Sequence, residues 1–85
     1  MKVLIPSPLL TYTGQSHVNA RGATLAEVLD DLDRQFPGLR FRVIDEQGRL
    51  RPHLRFFLNS GAVFDLSVPV QESDEIVIVQ ALSGG

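Results

Sequence analysis

Four consecutive β-branched residues, Ile76-Val77-Ile78-Val79, constrain this chain more than any other stretch. The polar turn Glu72-Ser73-Asp74 leads into them, and Gln80-Ala81-Leu82-Ser83-Gly84-Gly85 follows. A run of Ile and Val bounded by a turn reads as a strand covered on both faces, or on one face plus a partner. Glycine packs nothing in a strand and costs entropy there, so the side chains dwindle past Gln80 and leave a thin peptide. The sequence therefore predicts a domain over residues 1–80 whose last strand is central, carrying residues 81–85 as a flexible tail.

A buried strand needs something to lie against it, and one helical stripe supplies it. Leu25, Val28, Leu29, Leu32 and Phe36 recur at i, i+3, i+4, i+7 and i+11, the spacing of a single apolar face. Thr24 stands at the N-cap position with Glu27 three residues on, the pair of a capping box. Asp30, Asp31 and Asp33 fall off the stripe, where they are expected to face water. Pro37 forces Phe36 out of helical geometry, which predicts a helix from 25 to about 35.

The remaining apolar runs read as strands. Lys2–Ile5 is the first, ended by Pro6-Ser7-Pro8, since proline brings no N–H to a ladder. Leu9–Tyr12 is expected to continue irregularly to a turn at Gly14, and Ser16–Ala20 to return as the second strand of a hairpin. Residues 39–53 read as a connection, with Leu39, Phe41, Val43 and Ile44 lying over the open end of the core. Leu54–Asn59 places Leu54, Phe56 and Leu58 on one face. Asn59-Ser60-Gly61 is turn chemistry, Ala62–Phe64 a short return strand, and Leu66–Val70 a loop that drops apolar side chains inward. One helix covering these strands requires a mixed sheet folded across it. The first and last strands then run parallel at its centre through the helical crossover. That is an α+β chain of the β-grasp, or ubiquitin-like, arrangement.

Composition narrows function chiefly by exclusion. Eighty-five residues, 44% of them hydrophobic, make one small domain with a single core. The chain has no cysteine, which removes disulfides, thiolate zinc sites and a Cys nucleophile together. A formal charge of −2 argues against a nucleic-acid partner, whose phosphates attract Lys and Arg. Val3-Leu4-Ile5 is broken at once by proline, so no membrane span or leader is expected and a cytoplasmic location is. His17 and His53 lack the spacing of a metal or proton-transfer pair. No serine sits in a hydrolase elbow, no glycine-rich phosphate loop is present, and the helix carboxylates form one solvated face. No catalytic residue and no bound metal or cofactor is expected. Arg40, Arg42, Arg49, Arg51 and Arg55 form a loose basic cluster, read either as a solvated surface with weak ion pairs or as a docking patch for an acidic partner.

Gly84-Gly85 is the feature left over. A protein that gives up its own terminal carboxyl must thread it into another enzyme's site. Glycine suits that task, because it has no side chain to jam a channel and takes any backbone angles. From Ala81 to Gly85 the peptide reaches about 17 Å at roughly 3.3–3.6 Å per residue. A carboxylate is a poor acyl donor until activated, and adenylation by an ATP-using partner would activate it.

Four features carry a resemblance over the whole chain. They are the opening strand Lys2–Ile5, the helix start Thr24–Leu29, the strand end Phe57-Leu58-Asn59, and Ser73–Ile78 followed by Gly84-Gly85. With these the sequence resembles the MoaD/ThiS family of sulfur carrier proteins. The resemblance implies that an E1-like enzyme adenylates Gly85 and that the product becomes a thiocarboxylate, which donates sulfur to a synthase. Gly84 would supply clearance, and the ATP and Mg²⁺ would belong to the activating partner. Relatives of this kind feed cysteine, molybdopterin or thiamine synthesis, and the passage Arg49–Phe56 resembles the cysteine-type carriers. A ubiquitin-like protein modifier conjugated through Gly85 and a non-catalytic β-grasp interaction module are the competing expectations. Docking is expected on the sheet face away from the helix, through Phe57, Val77, Val79 and Leu82.

Overall fold

The computed structural model describes residues 1–81. Five strands form one sheet in the order β2-β1-β5-β3-β4. Their ranges are β1 Lys2–Leu4, β2 His17–Asn19, β3 Leu54–Leu58, β4 Gly61–Val63 and β5 Glu75–Gln80. β5 lies between β1, to which it is parallel, and β3, to which it is antiparallel. The two most apolar runs thus meet at the centre, as their composition requires, and the β-grasp arrangement is what the chain adopts.

The main helix, α2, runs from Leu25 to Gln35 and buries Leu25, Val28, Leu29 and Leu32. Against them the sheet sets Val3, Leu54, Phe56, Ile76 and Ile78, each at most 2% exposed. Burying one such side chain contributes roughly 1.5–3 kcal/mol, so this layer supplies most of the drive to fold. Thr24 is the N-cap, and its hydroxyl accepts from the Glu27 N–H at 3.3 Å. Glu27 reaches back to the Ala23 N–H at 3.1 Å, one residue before the position a capping box usually serves.

Three stretches differ from the sequence expectation. Leu9–Tyr12 is not irregular: a 3₁₀ turn at Ser7–Leu9 leads into a one-turn helix, α1, at Leu10–Thr13. Pro8 fits there because the first helical positions have no use for an N–H. Residues 39–53 are not only a connection, since Leu39–Val43 forms α3 and Ile44 bridges to Leu50. Leu39, Val43 and Ile44 are buried as expected, whereas Phe41 points outward and is 55% exposed. Asp33 does not simply face water. Its Oδ1 accepts from the N–H groups of Gly38 and Arg40, both at 3.1 Å, and so pins the corner between α2 and α3. Among the described residues no helix is long and apolar enough to cross a membrane.

Candidate functional site

Strand alternation decides which side chains the sheet shows to the outside. Val3, Ile76, Ile78 and Phe56 point to α2, so Leu4, Val77, Val79 and Phe57 point away from it. Register aligns them: Leu4 stands beside Val77, and Val77 beside Phe57. His17 extends this row at one end and Ala62 at the other. Leu4, Val77 and Phe57 are half-buried, and Val79, beside Arg55, is 39% exposed. Phe57, Val77 and Val79 therefore share one apolar stripe on the open face. Leu82, expected in the same patch, lies outside the described residues, as do Gly84 and Gly85.

The root of the terminal peptide is well defined. β5 stays in register with β3 as far as Gln80, which pairs with Leu54. The Ala81 N–H then donates to the His53 carbonyl at 2.8 Å, carrying the ladder one residue past the strand. The other end of β5 is fixed by Asn59. Its Nδ2 donates to Asp74 at 2.8 Å, and its Oδ1 accepts from the Glu75 N–H at 2.9 Å. Both ends of the strand that leads to Gly85 are thus held by β3 or the residues flanking it.

Titratable chemistry lies elsewhere, in turns and on α2. The Asn59 amide and the Gln71 N–H hold Asp74 below the usual carboxylate range. Arg34, with the Arg21 N–H, does the same for Asp31, and the Arg49 and Gln47 N–H groups for Asp45. Ser67, through its hydroxyl and its N–H, lowers Asp65. Each of these carboxylates is stabilised as an anion that accepts structural hydrogen bonds, which is the opposite of a poised general acid. His17 and His53 are not brought together, because β1 and β5 lie between β2, which carries His17, and β3, which His53 precedes. Among the described residues no group of three or more His, Asp or Glu side chains could hold a metal ion.

The basic cluster resolves into individual arrangements. Arg40 Nε lies 3.0 Å from Asp30 and Arg49 Nε 3.7 Å from Asp45. Arg55 donates to the carbonyls of Pro52 and Leu54. Arg51 sits over the Phe41 ring, 4.9 Å from its centroid. Exposed Arg42 has no ion-pair partner among the described residues. No spacing rule in the sequence could have assembled this, since it depends on α3 turning back towards the end of β5.

Comparison with known proteins bears on the whole chain. The sequence pattern of the ThiS family matches residues 3–85. The sulfur carrier protein CysO of Mycobacterium tuberculosis is 32% identical over 89 residues, covering 98% of this chain and 96% of that protein. A chain in the crystal structure of the Amycolatopsis orientalis BexX/CysO complex superposes with a TM-score of 0.90 at 32% identity, covering 99% of this chain and 98% of that one. SAMP1 from Haloferax volcanii, a small archaeal modifier protein, follows at a TM-score of 0.81 and 28% identity, covering 100% and 98%.

Proposed function

Because the chain belongs to the ThiS family, we propose that it is a sulfur carrier whose Gly85 carboxyl is the group that other enzymes activate and load. The observation that carries this reading is the end-to-end relationship with a sulfur carrier protein, together with Gly84-Gly85 standing just beyond a strand fixed at the sheet centre. On this reading the protein is a substrate rather than a catalyst. The Gly85 carboxylate attacks the α-phosphate of ATP in an E1-like partner, releasing pyrophosphate and leaving an acyl-adenylate. Magnesium held by that partner would offset the phosphate charge. A sulfide-level sulfur then displaces AMP to leave a terminal thiocarboxylate, which passes sulfur to a synthase. The passage Arg49–Phe56, which resembles the cysteine-type carriers, favours an acceptor in cysteine synthesis over one in molybdopterin or thiamine synthesis. Gly84 leaves the backbone clear as the peptide enters a narrow channel.

Intact-mass measurement of the protein recovered from its native host tests the reading. The expected result is a fraction heavier by the difference between sulfur and oxygen, absent when Gly85 is deleted. A terminus that stays an unmodified carboxylate when the host's E1-like enzyme, ATP and a sulfur donor are supplied overturns it.

The likeness to a small archaeal modifier protein favours a second reading, conjugation through the same carboxyl to lysines of other proteins. Both begin with adenylation and part afterwards. Gly85-dependent ladders of larger species on an immunoblot support conjugation, and a thiocarboxylate without ladders supports sulfur transfer alone.

A further inference from the structure

The surface around Ala81 has a character of its own. Phe41 and Arg42 from α3, Arg51 and His53 from the approach to β3, and Gln80 at the end of β5 line an open groove of about 230 Å³. Arg51 donates through Nε to the Phe41 carbonyl at 2.8 Å while its guanidinium covers the ring of the same residue. This double hold fixes a cation and an aromatic plane side by side at the surface, where neither serves the core. Five of the eight Lys and Arg residues lie between positions 40 and 55, beside only two of the ten acidic residues. The groove is therefore positive in a chain that is negative overall. Arg40 and Arg49 answer to their own aspartates and Arg55 to the carbonyls of Pro52 and Leu54, which leaves Arg42 and Arg51 to face a visitor.

Reach turns this into a constraint. Residues 82–85 extend at most about 13–14 Å beyond Ala81 at roughly 3.3–3.6 Å per residue. An enzyme that takes the Gly85 carboxyl into an enclosed site must bring the mouth of that site within this distance of Ala81. His53, whose carbonyl holds Ala81, also lines the groove beside Gln80, so the groove lies within that reach. We propose that the groove seats the rim of the channel through which the activating enzyme takes the tail, and that this rim presents an Asp or Glu to Arg42 and Arg51 and an apolar side chain to Phe41. The inference rests on the reading of Gly85 as the activated group. Opposite charges around the mouth would align the partners before the tail enters, and a charge at an interface rim acts mainly on association and its salt dependence.

The test uses the full-length protein with the E1-like adenylating enzyme of its host, following ATP–pyrophosphate exchange against carrier concentration. Arg42→Glu is expected to raise KM about tenfold with kcat nearly unchanged, and to flatten the rise of KM with added salt. Arg42→Lys should keep KM near that of the parent. Treated with a carbodiimide, the Arg42→Lys variant should also link to an Asp or Glu of the enzyme. Unfolding curves of both variants should match the parent, since Arg42 is exposed. An Arg42→Glu KM equal to that of the parent at every salt concentration, with exchange still lost on deleting Gly85, overturns the groove alone. Exchange that survives deletion of Gly85 overturns the reading beneath it.

Discussion

Ser60 is one of two non-glycine residues at positive φ among those described. It holds φ at 76°, with Asn59 at 50°, in the two-residue turn joining β3 to β4. Positive φ at both positions is what a type I′ turn demands, and Asn-Gly is its favoured pair. Asn59 is well placed, because its amide also ties Asp74 and Glu75. Ser60 adopts the left-handed region at a cost of about 1–2 kcal/mol, which glycine would avoid. After allowing for the greater freedom of glycine in the unfolded chain, Ser60→Gly is expected to stabilise by roughly 0.5–1 kcal/mol. Urea unfolding measures this, and a lower midpoint would mean that the side chain makes a contact worth more than the strain. Asn59-Ser60-Gly61 was readable as a turn from its residue types. The role of Asp33 was not, because a carboxylate spanning a corner between two helices depends on the path of the backbone, not on helical spacing.

Among the elements, α2 shows how a helix start is completed by a distant loop. The Leu25 N–H donates to Val68 and the Ala26 N–H to Leu66, at 3.0 and 2.8 Å. Thr24 takes the next two, through its hydroxyl for Glu27 and its carbonyl for Val28. The Val28 bond is the first of the helix itself, so the N–H groups of its first three residues, which a helix start leaves open, all find partners. Gly22 lies so close to this turn that a Cβ there would stand 2.6 Å from the Val28 nitrogen and 2.8 Å from Glu27 Cβ. Since the nearest atom is backbone, Gly22→Ala must displace the first turn or the loop before it, and a loss of about 1–3 kcal/mol is expected. Thermal and urea unfolding read the change, and an unaltered midpoint would refute the close approach. The stripe and cap made α2 legible in the sequence, as apolar runs did β1 and β5. α3 escaped because five residues, two of them arginine, are too few to show a period. The helical turn at Ser7–Thr13 escaped because a proline's missing N–H, which ends a strand, equally suits the first positions of a helix.

For the molecule as a whole, acid should be the weak side. Asp31, Asp45, Asp65 and Asp74 all lie below the ordinary value of 3.8 in the folded state. The unfolded chain therefore takes up protons first as the pH falls. Their contribution is fully present above 3.8 and is lost as the pH drops through that value towards the lower folded ones. The urea midpoint is expected to stay level near neutrality and to decline below about pH 4, with a shallower decline in Asp74→Asn. A midpoint that rises on acidification would contradict this. The fold was largely legible because burying one helix stripe with two very apolar strands leaves few arrangements. The groove at the root of the tail was not, since three separated segments meet there only after folding. Their meeting depends on β5, which also bears on synthesis. Until it leaves the ribosome, β1–β2 and β3–β4 are two hairpins with unpaired inner edges and nothing to join them. Lys2 must wait for Glu75, and pairing over such a span makes folding slow and exposes those edges to neighbouring chains. That central strand is thus also the keystone, so any nascent chain stopped short of it lacks both the joined sheet and the residues that follow Gln80.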